Sequence, residues 1–382
     1  MAQAEKKDFN VKDFKSRESA YDKRVKELED EISKTKYNKK TQSHIGLVKA
    51  KLAKIKEDQQ KKVSSKSGGM GFSVRRSGDA TVIMVGFPSV GKSTLLNSIT
   101  NANSEVAAYA FTTLTCIPGL MEYKHSKIQV LDVPGIVEGA ATGRGRGKEV
   151  LACAQSADLV LIIVDVFFPE HLEVVKREIY ETGIRLNQKP PQIRISKKSR
   201  GGIDLGATVR LTKMNDETIK GILKEFRMDN SSVVLREDVT DDQLIDAIEG
   251  NKRYIPGITI LNKMDMVDEK ELERVKSIVN PDICISAAKK LNTEELKDLI
   301  FKKLEFMRVF CKEAGKRADT DVPVIMRQGN TMRDMCMKLH KDFVSRFKFA
   351  RIWGKSAKFP GMVVRKLEHV LQDNDVVEIH LR

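Results

Sequence analysis

The loop Gly86-Phe87-Pro88-Ser89-Val90-Gly91-Lys92-Ser93 matches the pattern G-x-x-x-x-G-K-S. It follows the apolar run Thr81-Val82-Ile83-Met84-Val85 and precedes the helix-like stretch Thr94-Leu95-Leu96-Asn97-Ser98-Ile99. Strand, glycine loop and helix in that order form a phosphate cradle. Glycines let the backbone N–H groups approach an anion closely, and the helix N-terminus adds positive potential. Lys92 is placed to reach the β- and γ-phosphates and Ser93 to ligate Mg2+, with Thr94 completing the phosphate-facing set. The loop alone does not separate ATP from GTP.

Asn262-Lys263-Met264-Asp265 follows the strand-like run 257–261 and reads N-K-x-D. A carboxylate at Asp265 can accept from the ring N–H and the exocyclic amine of guanine together. Adenine offers neither feature at those positions and would leave a buried carboxylate unpaired. Lys263 can lie along the base plane and Asn262 can tie this loop to the phosphate loop. Ser286-Ala287-Ala288, after Ile283-Cys284-Ile285, would add a backbone N–H to the guanine oxygen. Four residues with one wild card are often just a strand-end turn; their place downstream of the phosphate loop makes guanine the stronger reading.

Asp132-Val133-Pro134-Gly135 follows the run 128–131. Asp132 is suited to hold Mg2+ through water, and Gly135 can offer its N–H to a γ-phosphate while acting as a hinge. Between these motifs lies Phe111-Thr112-Thr113-Leu114-Thr115, where a threonine hydroxyl, Thr113 in preference to Thr112, could complete the metal shell while the γ-phosphate is present. A threonine-rich strand edge would read the same way without its flanking motifs. Ordering and release of these two segments is how such a protein switches. Lys92, Thr113 and Gly135 are the catalytic candidates.

These residues require an α/β scaffold. Runs 81–85, 128–131, 159–164 and 258–261 read as core strands whose C-terminal ends carry the motifs, the edge where open parallel sheets bind ligands. Residues 1–66 are rich in Lys and Glu, with helices expected over 19–34 and 43–62 about a turn at 36–40, and with disorder the alternative before Arg17. A linker is expected at 67–79. The GTPase domain takes 80–169 and 255–306. The segment 170–254 is too long for one crossover and reads as an α/β insertion, with strands 192–195 and 207–211 pairing about the basic loop 197–202. The tail 307–382 opens with an irregular segment and then mixes strands with one helix, as in a β-grasp domain.

A chain of 382 residues has length for several cores. No apolar run approaches the roughly 20 residues of a membrane span, and the N-terminus lacks a secretory pattern, so a cytoplasmic protein is expected. Its five cysteines show no Cys-x-x-Cys spacing and its six histidines no ligand spacing, which argues against a disulfide framework or zinc site. A net charge of +15 favours a polyanionic partner, RNA before membrane; a solvated basic surface is the bland alternative.

The chain resembles the translation-factor-class GTPases of the Obg-HflX superfamily and, within it, the developmentally regulated GTP-binding (DRG) family. Besides the motifs above, the resemblance rests on Ala107-Ala108-Tyr109-Ala110-Phe111, Ile136-Val137-Glu138-Gly139-Ala140, Gly143-Arg144-Gly145-Arg146-Gly147, Gly183-Ile184-Arg185-Leu186-Asn187, Glu249-Gly250-Asn251-Lys252-Arg253-Tyr254 and Phe347-Lys348-Phe349-Ala350-Arg351-Ile352-Trp353-Gly354. It implies a helical hairpin, a G domain with a ribosomal-protein-like insertion, and a TGS domain. Ribosome or rRNA association and a DRG-family regulatory protein as partner are implied as well, with no membrane or DNA partner.

Ile136 stands where Ras-like enzymes place a water-orienting glutamine. An isoleucine cannot bind water, so intrinsic hydrolysis should be slow unless K+ or a partner completes the site. Ser89 stands where several K+-activated GTPases carry an asparagine ligand. Arg144, Arg146 and Lys148 could act as in-chain fingers, although a mobile basic loop is the commoner use of such residues. Two functions therefore stand: a Mg2+-dependent GTPase switch, and a GTP-dependent RNA- or ribosome-binding module with negligible turnover. Trp353 reads as core rather than a base-stacking platform, and the loop 197–202 as either an rRNA grip or an exposed hairpin tip.

Overall fold

The computed structural model describes residues 11–36, 38, 41–64, 78–100, 117–132, 157–313, 315–316 and 321–382. Contacts divide the chain into one compact unit of residues 1–71 and 189–252 and another of 72–188 and 253–382. No helix among the described residues is long and apolar enough to cross a membrane.

In the second unit, strands β1 (Ala80–Val85), β2 (Ile117–Tyr123), β3 (Ser126–Asp132), β4 (Leu159–Asp165), β10 (Gly257–Asn262) and β11 (Ile283–Cys284) form one sheet in the order β11-β10-β4-β1-β3-β2. All pairings are parallel except β2 with β3. Every residue of β1 and β4 is buried. Covered on both faces, these strands carry near-continuous apolar runs rather than alternation. One face packs Ile162, Val164, Leu172, Val175 and Ile179. The other packs Leu95, Leu96, Ile99, Leu296 and Ile300. Because the strands run together, Val85, Asp132, Asp165 and Asn262 all end on the same sheet edge.

β2 is not evident from sequence, because its Pro118 and Gly119 argue against a central strand. As an antiparallel edge strand it tolerates proline. Gly119 is required there: a Cβ would stand 2.6 Å from Thr100 Cγ2 and 2.8 Å from Leu96 Cδ1, on and just beyond helix α3 (Lys92–Ile99).

The helix His171–Glu181 and strand β5 (Ile184–Leu186) bury Leu172, Val175, Ile179 and Ile184 in the sheet's core, and β5 pairs with β9 (Arg253–Ile255). Of the excursion expected over 170–254, residues 189–252 fall in the compact unit that also holds 1–71. There β6 (Ile193–Lys197), β7 (Ile203–Ala207) and β8 (Ser231–Leu235) form a sheet in the order β6-β8-β7. The expected direct pairing of 192–195 with 207–211 about the loop 197–202 is corrected: residues 208–211 are not strand, and β8 lies between β6 and β7, antiparallel to β6 and parallel to β7. Val233 and Leu235 on β8 are fully buried, and this apolar strand takes the centre. Helix Asp216–Glu225, helix Asp241–Glu249 and α2 (Gln42–Ser64) pack Ile219, Ile222, Leu244 and Ala50 against it. α1 (Val11–Lys34) begins eight residues ahead of its expected start and pairs Glu31 with His44 and Glu29 with Lys56 of α2.

The tail does not open irregularly. Phe306–Cys311 is β12, which lies between β13 (Val324–Arg327) and β16 (Asp375–Leu381) in a sheet of order β13-β12-β16-β14-β15, with β14 (Phe347–Trp353) and β15 (Met362–Val364). β12 and β16 run parallel, and the helix Met332–Leu339 covers one face with Met332, Met335 and Cys336. Trp353 is only partly buried, on the opposite face from Ile352, with the Lys312 ammonium 4.1 Å from its ring centre.

Candidate nucleotide site

The phosphate loop leaves β1 at Val85 and enters α3 at Lys92. Gly91 has φ +95°, a conformation that favours glycine, and a Cβ there would stand 2.4 Å from Asn262 Nδ2. Ser89 is also left-handed, at φ +61°. The Lys92 ammonium lies across the loop, donating to the carbonyls of Gly86 at 3.0 Å and Phe87 at 2.8 Å. Ser93 and Thr94 occupy the first turn of α3, whose N-terminus carries no side-chain cap. An uncapped helix start leaves backbone donors available to an anion.

Asp132 ends β3 beside this turn. Ser93 Oγ donates to its Oδ2 at 2.8 Å, while Oδ1 is buried without a hydrogen-bond partner among the described residues. A buried carboxylate oxygen in that state needs a cation or an ordered donor. Phe111, Thr112, Thr113, Gly135 and Ile136, with Arg144, Arg146 and Lys148, lie outside the described residues.

At the other end of the site, Asn262 joins three segments. Its amide donates to Val90 O at 2.8 Å, and its Oδ1 accepts from Ala287 N at 3.0 Å. Lys263 is left-handed at φ +66°, and its ammonium meets Asp165 Oδ2 at 2.6 Å. Asp265 opens toward solvent by only 13% of its side chain and lies 3.2 Å from Lys289 Nζ. The Ser286 hydroxyl first, and Lys289 after burial's opposing effect, hold its carboxyl below the usual carboxylate range. Ser286 is buried, bridged through its backbone to Leu291, and its hydroxyl accepts from Lys289 N at 3.2 Å; Ala288 is exposed beside it. A carboxylate that is held ionised and keeps some exposure is the group guanine's paired donors require.

Two features were not anticipated from sequence. Asp165, at the end of β4, is paired in register with Asn262. The Phe87 ring of the phosphate loop stacks on His171 at 3.8 Å, and His171 stacks on Phe168 at 5.2 Å. An acid closing an apolar run beside the N-K-x-D strand was the available signal for the first. The second brings together residues far apart in the chain.

Fold and site together define a P-loop GTP-binding protein of the GTPase class with an appended TGS domain. The family described as "50S ribosome-binding GTPase" matches residues 81–198, the "C-terminal region of MMR_HSR1 domain" matches 200–306, and the "TGS domain" matches 307–381. An uncharacterised GTP-binding protein of Methanocaldococcus jannaschii is 50% identical over 94% of this chain and 92% of its own. Developmentally-regulated G-protein 3 of Arabidopsis thaliana is 45% identical over 93% and 97%, and developmentally-regulated GTP-binding protein 1 of Xenopus laevis 43% over 93% and 98%. The chain belongs to the developmentally regulated GTP-binding protein family.

Proposed function

We propose that this protein hydrolyses GTP to GDP and phosphate with Mg2+ and serves as a ribosome-linked switch in the cytoplasm. The observation that supports the chemistry is that Lys92 lies across the phosphate loop and Ser93 bonds Asp132, while Asn262, next to Lys263 and Asp265 in the chain, bonds the same loop at Val90. Asp265 selects guanine, Ser286, Ala287 and Ala288 border its oxygen, and the backbone N–H groups of the loop 86–94, Pro88 excepted, with Lys92 hold the phosphates. Bound Mg2+ would neutralise phosphate charge, and the oxygen-only donor set of Ser93 and Asp132 suits a hard cation. The orphaned Asp132 Oδ1 supports that fit. Thr113 and Gly135 join the site when the γ-phosphate is present.

Lys92 and the loop amides stabilise the negative charge that develops as water attacks the γ-phosphorus and the bond to the β-phosphate oxygen breaks. Ile136 supplies no group to orient that water, so turnover is slow alone and rises with K+ or a partner. Ribosome association is supported by the name of the family matching 81–198 and by the +15 charge; a DRG-family regulatory protein is the second partner. Ile136 also favours a second reading, a GTP-controlled binding module with negligible turnover. Phosphate release from GTP and ATP, each with Mg2+ or with EDTA, tests the chemistry: GTP cleavage abolished by EDTA is expected, and equal ATP cleavage would defeat the assignment.

A further inference from the structure

We infer that Asp165 is a positioning residue of the guanine pocket, acting through Lys263; the inference rests on the nucleotide site proposed above. The Asp165 side chain is only 6% exposed, and a carboxylate so buried must be satisfied by specific partners. It has two. Oδ2 meets the Lys263 ammonium at 2.6 Å, and Oδ1 accepts from Phe167 N at 3.1 Å.

The backbone fixes the carboxylate independently of any nucleotide. Val166 N donates to Asn262 O at 3.2 Å, and Phe168 N donates to Asp165 O at 3.0 Å. The turn that carries Phe167 and Phe168 is braced by the stack of Phe168 on His171 and of His171 on Phe87. Asp165 therefore stands on a pre-organised turn and holds the end of a lysine that would otherwise sample many rotamers. Lys263 starts from a left-handed backbone, so its stem leaves the chain in a defined direction, and anchoring the ammonium fixes the whole stem. A stem held along the base plane covers any purine alike, whereas Asp265 distinguishes the exocyclic amine. Pre-organising a contact group lowers the entropic cost of binding, and its loss appears mainly in the dissociation rate.

The test measures dissociation of GDP and of IDP, which lacks the exocyclic amine, from the full chain. Asp165→Asn should speed both by roughly ten- to a hundredfold, as expected for removing a charge-assisted hydrogen bond, and leave the GDP-to-IDP ratio unchanged. Lys263→Met leaves the Asp165 turn in place and should reproduce the acceleration; it also supplies the readout if the buried Asp165 change prevents folding. In the Lys263→Met background, Asp165→Asn should add little. An undiminished Asp165→Asn effect in that background, unchanged dissociation in a folded variant, or a collapsed GDP-to-IDP ratio in either variant would overturn the inference. A wild-type chain that holds neither nucleotide would instead defeat the site assignment itself.

Discussion

Asp265 is the residue proposed to carry the nucleotide choice, and its environment makes two predictions. Replacing it with asparagine substitutes a donor for an acceptor, so Asp265→Asn should weaken GDP binding at least about a hundredfold. It should also favour xanthosine diphosphate, whose carbonyl replaces guanine's amine. Competition binding with the two nucleotides checks this, and a retained guanine preference would refute the pocket. The second prediction concerns pH. With its carboxyl held down by Ser286 and Lys289, Asp265 stays ionised as pH falls through the ordinary carboxylate range. The preference for GDP over IDP, which share the same phosphates, should hold from pH 8 to about 4 and decline only below the usual carboxylate range. Isothermal titration across that range reads it. The phosphate loop and Asp265 were legible in sequence because each depends on contiguous residues at fixed spacing. Asp165 was not, since its meaning comes from the register that pairs it with Asn262 across two parallel strands.

Among elements, α3 and the helix Thr293–Lys303 hold the edge hairpin β2–β3 to the rest of the sheet. Gly119→Ala would drive a methyl into Leu96 and Thr100, and thermal unfolding should show a loss of about 1–3 kcal/mol. At the hairpin's turn, Asp298 accepts from Lys124 at 2.5 Å and Tyr123 at 3.1 Å, and pairs with Lys302 at 2.7 Å. Lys124 first, then Lys302, depress its carboxyl strongly. A depressed carboxylate contributes stability that is complete above its unfolded pKa, near 4, and is lost as pH falls toward its folded value. Asp298→Asn should therefore cost about 1 kcal/mol at pH 7, a figure reduced by the quarter exposure of the side chain, and the gap to wild type should only begin to narrow below about pH 4, closing as pH falls further toward the folded value. Denaturant melts at both pH values check the sign. The core strands were readable from their apolar runs, whereas β2 hid behind Pro118 and Gly119. Proximity in sequence favours a hairpin of 192–195 with 207–211, while in the fold the second strand lies at 203–207 and β8 from farther along the chain takes the centre.

At the scale of the whole molecule, the +15 charge sets the partner prediction. Association with ribosomes should weaken steeply as salt rises from 50 to 200 mM, because each basic contact with a phosphate releases counterions. Cosedimentation at graded salt measures the slope, and a flat response would point to a protein partner instead. The ordered α/β plan followed from where strands alternate with helices, and the β-grasp tail from its short strands around one helix. The opening strand of that tail, Phe306–Cys311, was missed because its Phe-Met start breaks simple alternation. On the proposed function the site cleaves GTP at a rate set by something outside the phosphate loop. Single-turnover GTP hydrolysis with Mg2+, measured with and without K+ and with and without ribosomes, tests it most directly. Slow cleavage by the chain alone and faster cleavage on adding K+ or ribosomes is the predicted result; intact GTP binding with no cleavage under any of these conditions would contradict it.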